Sequence, residues 1–230
     1  MEQGEHRSRL DAIVGYVLSV VLWFTRFFLK HWLALANVAL ALSVIFPLAA
    51  PLLMHAGYER AGRIAYLVYS PFCHQIPERS FFLFGREWVY SYGELARALR
   101  GDVPRRFMGN ALLGYKMAIC QRDMAIYAIG LASGLLFGLV RHRWRRITLR
   151  WFALMSLPMA VDGFGQLFGL WTSTWVSRLA TGGLFGFAMV RLAFPLIEEA
   201  LAAARNSAVE HMAGITTANA ARLFGVARGP

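Results

Sequence analysis

Charged residues are scarce in this chain. They make up 16% of its 230 residues, whereas roughly a quarter is usual in a soluble domain. Hydrophobic residues reach 57%, and the mean hydropathy is +0.46. The chain also has only two cysteines, which excludes a small fold held together by several disulfides. The same composition excludes an intrinsically disordered protein, and it raises the question of whether lipid rather than water surrounds the fold.

Lysine is almost absent as well, with two lysines beside twenty-two arginines in a chain of net charge +11. Such an arginine excess is found in proteins that bind nucleic acid, but here the arginines flank long hydrophobic runs. We therefore expect anionic headgroups of membrane lipids as partners and no nucleic acid. Glycine-rich nucleotide loops and the HExxH and GxSxG motifs of hydrolases are also absent from the sequence.

Long apolar segments are abundant. A bilayer span takes about twenty predominantly apolar residues, and four segments meet that length, at residues 32–54, 118–140, 151–177 and 179–197. The sequence therefore predicts an all-α integral membrane protein whose membrane domain, residues 32–197, is a bundle of four transmembrane helices.

The two chain ends are less apolar. Residues 1–31 are predicted to form an N-terminal cytoplasmic helix lying in the membrane interface, because the apolar part at 12–29 is short and interrupted by Arg26. A fifth span over 12–29 is the alternative, while the mixed-charge start argues against a cleaved signal peptide. Residues 198–230 are predicted to be a cytoplasmic tail.

Arginine density predicts the orientation. Residues 141–150 hold five arginines between two spans, so this turn is expected in the cytoplasm. The polar segment 55–117, which includes a re-entrant or interfacial Cys-His-Gln stretch, is then extracytoplasmic. Gly130, Gly134 and Gly138 form a flat strip on the second span, where another helix can approach closely. That strip predicts helix packing within the chain or, alternatively, the seam of a homodimer or larger membrane complex.

Polar residues that do not suit lipid fall into three groups. The first is Cys73-His74-Gln75, between Pro71 and Pro77, and the second is Cys120-Gln121-Arg122-Asp123 at the start of the second span. The third contains Asp162, about eleven residues into its span and hence near mid-membrane, with Gln166 one turn further on. Because isolated charges inside a membrane are costly, we expect Cys73, His74, Cys120 and Asp162 to converge.

These motifs resemble those of an uncharacterised prokaryotic membrane protein family, the domain of unknown function number 2085. The matching positions are Cys73–Phe81, Cys120–Arg122 with Tyr127 and Gly130, Asp162–Gln166, and Arg178 with Thr181 and Gly182. The resemblance covers roughly residues 55–190 and implies a multi-pass protein of a prokaryotic plasma (inner) membrane. It implies no activity. Two departures are a polar insert at 87–106 and Asp123, where some relatives have a further cysteine.

The leading chemical hypothesis is a zinc site, since zinc accepts sulfur, nitrogen and oxygen ligands. Cys73, His74, Cys120 and either Asp162 or Asp123 are the candidate ligands. Candidate catalytic residues are Asp162, Gln166 and Asp123, and candidate phosphate-binding residues are Arg79, Arg122 and Arg178. A lipid or lipid-linked phosphate would then be the substrate.

Two alternatives use the same residues without catalysis. Cys73 and Cys120 form a candidate disulfide that would fasten the re-entrant segment to the second span. The protein would then be an accessory subunit or small transporter, braced by an ion-pair network of aspartates and arginines. The sequence leaves open whether the protein is an enzyme.

Overall fold

The computed structural model describes residues 2–141 and 143–224, with the backbone alone at 2–13, 208–209, 211–214 and 217–224. It is 71% helical. The described residues form six α-helices: α1 (Glu2–His55), α2 (Glu59–Tyr69), α3 (Tyr92–Leu99), α4 (Gln121–Val140), α5 (Leu149–Leu167) and α6 (Trp175–Phe224).

Three of the described helices are long and apolar enough to cross a membrane, over Val14–His55, Gln121–Val140 and Trp175–Ser207. The predicted helical membrane protein is thus confirmed, but the bundle of four spans is not. The third predicted span, 151–177, corresponds to α5, which ends at Leu167, ten residues early. The chain turns there because Gly169 adopts a positive φ of 69°, and residues 168–174 are not helical.

The N-terminal helix α1 has no break within its 54 residues. Residues 12–29 and the predicted span 32–54 therefore share one helix instead of forming two. A helix of this length extends about 80 Å, far more than the roughly 30 Å of hydrocarbon in a bilayer. Only part of α1 can therefore lie inside the membrane, and the interfacial position of 12–29 stays a prediction.

The described chain separates into two compact units, one formed by Leu33–Leu192 and the other by the residues before and after it. In the unit of the chain ends, the rings of Trp32 and Phe194 pack edge to face with their centroids 5.4 Å apart. Large side chains such as Trp23 and Phe24 are exposed there. Exposed apolar side chains along a long helix are typical of contact with lipid.

In the larger unit, α4 and α6 approach at glycines of α6. A Cβ atom at Gly182 would lie 2.6 Å from the carbonyl oxygen of Arg122, and one at Gly186 would lie 2.4 Å from that of Ile126. The glycine strip predicted on α4 does not make the closest approach. Cβ atoms at Gly130 and Gly138 would only touch leucine side chains of α1, at 3.5 and 3.7 Å, and Gly134 is buried.

The polar segment between α1 and α4 folds around two small cores. Its strands are β1 (Phe82–Leu83), β2 (Gly109–Asn110) and β3 (Gly114–Lys116), which form an antiparallel sheet in the order β1-β3-β2. Phe82, Tyr90, Leu95 and Leu113 are buried together. A second cluster joins Ala50 and Met54 of α1 to Tyr66 and Ala118. This packing fixes the segment that carries Cys73 against the start of α4.

Local sequence signals explain where α3 and a short 3-10 turn of this segment begin. Ser91 precedes α3, and its hydroxyl accepts a hydrogen bond from the Glu94 N–H at 3.3 Å. The Glu94 carboxylate accepts in return from the Ser91 N–H at 2.7 Å, which completes a capping box. Pro77 begins a 3-10 turn over Pro77–Arg79. The predicted insert at 87–106 is therefore ordered structure.

Candidate functional site

The two cysteines meet at the beginning of α4. Cys73 lies in the loop after α2, and Cys120 is the N-cap residue of α4, so it precedes the helix and does not lie within it as predicted. The ligand atoms of Cys73, Cys120 and Asp123 all lie within 4.8 Å of one another. Cys73 is buried, and the other two residues are half-buried. We refer to these three residues as the thiol cluster.

Backbone hydrogen bonds hold the sulfur atoms in place. The Cys120 N–H donates to the Cys73 sulfur at 3.3 Å, and the Asp123 N–H donates to the Cys120 sulfur at 3.5 Å. Both cysteines are free thiols. A hydrogen bond from the Cys120 thiol lowers the pKa of Cys73, since it stabilises the thiolate. The same bond, together with burial, raises the pKa of Cys120. The shared hydrogen bond therefore makes Cys73 the more acidic of the two thiols.

A buried lysine lies beside the thiol cluster, and sequence reasoning missed it. Lys116 on β3 is only 1% exposed; its ammonium donates to the Gln75 carbonyl and lies 5.4 Å from the centre of the Tyr66 ring. Burial lowers the pKa of Lys116 to about 8, and the negative charges of Cys73 and Glu78 oppose that shift. The rarity of lysine was the signal that could have drawn attention to Lys116, because the chain has only two lysines.

The backbone between Cys73 and the lysine is tightly held. Gln75 has a positive φ of 53°, and its side-chain amide donates to the Tyr66 carbonyl at 2.7 Å. The Tyr66 hydroxyl donates to the Lys116 carbonyl at 2.5 Å. Burial raises the pKa of Tyr66, so this hydroxyl remains a donor at neutral pH. These bonds join α2, the Cys-His-Gln stretch and β3 into one support for Cys73.

His74 does not join the thiol cluster. Its side chain is exposed, and together with Cys73 it lines a cavity of 420 Å³. His74 is not among the residues whose ligand atoms group with the two sulfurs, and its role as a ligand stays a prediction.

Asp162 lies in a polar network of its own. It forms an ion pair with Arg122 and accepts a hydrogen bond from the Ser173 hydroxyl. The Ser177 hydroxyl and the Gln166 amide donate to the same carboxylate at 3.2 and 3.3 Å. We refer to these five residues as the Asp162 network. The shared face predicted for Asp162 and Gln166 is confirmed. Asp162 is not among the ligand atoms that group with the two sulfurs, and its convergence with the cysteines stays a prediction.

The helix that carries Asp162 is shorter than predicted. The residue lies five positions before the end of α5, because that helix stops at Leu167 and not at 177. The loop that follows returns over the carboxylate, and the Trp171 indole N–H donates to it at 3.4 Å. The carboxylate thus sits at a helix end, where side chains from a loop can satisfy it.

A third polar contact set surrounds Arg178 at the start of α6. Its guanidinium donates to the Gln121 side chain at 3.0 Å and to the Glu78 carbonyl at 3.2 Å. The Gln121 amide donates in turn to the Ser80 carbonyl at 3.2 Å. Arg178, Gln121 and Ser80 are all buried. These contacts tie the segment after Cys73 to α4 and α6.

Two of the three arginines predicted to bind phosphate share a cavity. Arg79 and Arg178 line a cavity of 590 Å³, which the Gln166 and Ser173 side chains also line. Arg122 forms its ion pair with Asp162 and lines a different, largely apolar groove. The basic residues that line the cavity at Cys73 are Arg63, Arg105 and Arg106. Sequence reasoning passed over them because two of the three belong to the insert that it treated as a departure.

The arrangement defines a class: a helical membrane protein with a thiol and carboxylate cluster at a helix N-terminus. Residues 107–192 match a family described as "Predicted membrane protein (DUF2085)". An uncharacterized protein of Methanocaldococcus jannaschii is 33% identical over 141 residues, which are 58% of this chain and 69% of the relative. The chain belongs to this family of membrane proteins. No solved structure matches it.

The family match and the site overlap in part. The matched residues contain Cys120, Arg122, Asp162 and Arg178, whereas Cys73 lies before them. The match supports the motifs on α4, α5 and α6 that the resemblance identified from the sequence. The relative has no described activity, so the chemistry of the site is argued from its atoms.

Proposed function

We propose that this protein is a multi-pass protein of a prokaryotic plasma membrane that binds a zinc ion at the thiol cluster. Two cysteine sulfurs and a carboxylate oxygen are ligands that zinc prefers. The observation that carries the proposal is their grouping, with the three ligand atoms within 4.8 Å of one another. Bound zinc supplies Lewis acidity and lowers the pKa of a coordinated water.

Three protein ligands leave one position of a four-coordinate ion open, as is usual in catalytic sites. Cys73 lines the 420 Å³ cavity, so this position would face a space large enough for a small ligand. A lipid or lipid-linked phosphate is the substrate that suits such a site. Asp123, one of the predicted catalytic residues, would then be a ligand of the ion, while the Asp162 network holds α4, α5 and α6 together.

Zinc content measures this proposal directly. The full chain, purified in neutral detergent under reducing conditions, is expected to bind one zinc ion per chain by elemental analysis. The substitutions C73S, C120S and D123N should each lower the zinc affinity more than about a hundredfold, since a structural zinc site contributes roughly 10–16 kcal/mol over its ligands. D102N removes an exposed aspartate outside the thiol cluster and is the matched control.

H74A distinguishes the structure from the sequence prediction. The exposed position of His74 predicts unchanged zinc affinity in this variant, whereas a large loss would make His74 the fourth ligand. Zinc binding that survives C73S and C120S alike would contradict the proposal. Thiol titration accompanies each measurement, since zinc should protect both thiols from alkylation.

A second candidate function follows from the same sulfur atoms. Cys73 and Cys120 are close enough to pair as a disulfide after a small movement, and the Arg122–Asp162 ion pair braces the neighbouring helices. The protein would then be a non-enzymatic accessory subunit or small transporter. Protein isolated without reductant distinguishes the two: no zinc and no free thiol supports the disulfide.

The proposed orientation keeps residues 141–150 in the cytoplasm and the thiol cluster on the extracytoplasmic side. Its support is the five arginines of that turn, at short distance from two helices. Single cysteines introduced into residues 87–106 should react with an impermeant thiol reagent on whole cells, and those in 143–150 should not.

A further inference from the structure

The cavity that opens at Cys73 is strongly basic. Arg63 of α2 and the adjacent Arg105 and Arg106, from the loop before β2, line its 420 Å³ together with His74. None of the described side chains that line it is acidic. Three guanidinium groups around one small space create a positive potential there.

These arginines are not neutralised by strong ion pairs. Arg63 contacts Glu59 at 3.5 Å, but both side chains are about two-thirds exposed, so this pair contributes little. Arg105 and Arg106 are exposed, and within the described part of the chain they have no ion-pair partner. The cavity therefore has cationic donors available for an anion.

An exposed apolar face of α2 borders the same cavity at Leu67. The α2 residues Ile64, Leu67 and Val68 follow helical spacing along one face, and they are 61%, 68% and 59% exposed. Phe72, just after the helix, is 77% exposed, and Leu67 lines the cavity itself. A short amphipathic helix with this pattern is typical of the membrane interface.

We propose that this cavity binds the phosphate group of an anionic membrane lipid. The planar guanidinium groups of Arg105 and Arg106 match phosphate oxygens in two-point hydrogen bonds. The lipid chains would leave the cavity along Leu67 and its apolar neighbours on α2. The bound phosphate then lies at the opening that Cys73 lines. The idea that this lipid is a substrate of the metal site rests on the proposed function, whereas the idea that the arginines bind it does not.

Binding of dihexanoyl phosphatidic acid measures this inference. The probe is soluble as a monomer, and its heat of binding to the full chain in neutral detergent gives a dissociation constant. R105Q/R106Q should weaken it at least tenfold, because hydrogen bonds to charged groups are each worth about that factor. R86Q/R97Q removes the same charge from exposed positions of the same segment, lines no described cavity, and should change affinity less than about twofold.

Two further probes identify the source of the phosphate. Glycerol 3-phosphate carries the headgroup without chains, and dihexanoyl phosphatidylcholine carries the chains with a neutral headgroup. Both should bind at least tenfold more weakly than phosphatidic acid. Equal binding of glycerol 3-phosphate would overturn the lipid assignment in favour of a soluble phosphate.

An equal loss of phosphatidic acid affinity in R105Q/R106Q and R86Q/R97Q would overturn the proposed site, because binding would then depend on surface charge in general and not on this cavity. Each titration is made with zinc-loaded protein and with C120S. If the arginine dependence is retained in C120S, the lipid site stands even where the zinc proposal fails. Thermal unfolding of R105Q/R106Q verifies folding, which exposed arginines should not affect.

Discussion

The Arg122–Asp162 ion pair gives the sharpest prediction of stability. Its side chains are only 18% and 11% exposed, in contrast to 64% and 67% in the Arg63–Glu59 pair. D162N retains the shape of the side chain but leaves the Arg122 guanidinium without its counter-charge. Removing one partner of a buried pair costs about 3–5 kcal/mol, so we expect D162N to lower the free energy of unfolding by about 3 kcal/mol or more.

Unfolding by sodium dodecyl sulfate in mixed micelles, followed by tryptophan fluorescence, measures this loss. E59Q is the matched control and should cost less than about 1 kcal/mol, because exposed pairs contribute little. The double variant R122M/D162N removes both charges and should recover part of the loss of D162N. A D162N protein as stable as E59Q would refute the view that this network holds the helices together.

Two further predictions concern the thiols and the helix contact. In the zinc-free protein the pKa of Cys73 is lowered, so its alkylation should begin at a lower pH than that of an ordinary thiol. C120A removes the hydrogen-bond donor and should move the pH profile of alkylation to higher pH. An unchanged pH profile would show that the two thiols do not interact. G186A should lower the free energy of unfolding by about 1–3 kcal/mol, because its methyl group would meet the Ile126 carbonyl oxygen. G138A is the control and should cost nothing measurable, because its methyl group would meet only a leucine side chain. Equal losses in the two variants would exclude the close contact of α4 and α6.

The meeting of Cys73 and Cys120 could be anticipated from the sequence, because polar groups between apolar segments must satisfy one another. The side-chain directions could not. Whether His74 points toward the cluster depends on the backbone of the loop, where Gln75 takes a positive φ. A positive φ is uncommon in glutamine, and no periodic pattern indicates it.

The early end of α5 has a similar origin. No charged residue occurs between Leu167 and Arg178, so composition alone extends the helix through the turn at Gly169. The strands of the polar segment have two or three residues each, too few to show the alternation that identifies a strand. The sequence thus indicates which polar residues must be hydrogen-bonded or paired, and the conformation of the turns determines which residues they contact.

The first turn of α4 explains why one short motif serves three contact sets. Cys120 is in extended backbone just before the helix, and the first helical residues Gln121 and Arg122 point about 100° apart. The three residues therefore face different neighbours. Cys120 donates its N–H to Cys73, Gln121 contacts Arg178, and Arg122 pairs with Asp162. A single helical turn therefore joins the Cys-His-Gln segment, α5 and α6.

This geometry gives the Asp162 network a role in the candidate metal site without a ligand in it. The carbonyl oxygen of Arg122 touches Gly182 of α6, while its side chain reaches Asp162 of α5. The position of the α4 N-terminus is thereby fixed from two sides, and with it the distance from Cys120 and Asp123 to Cys73. A loss of Asp162 would loosen the thiol cluster through this helix end, since metal sites depend on the groups that orient their ligands.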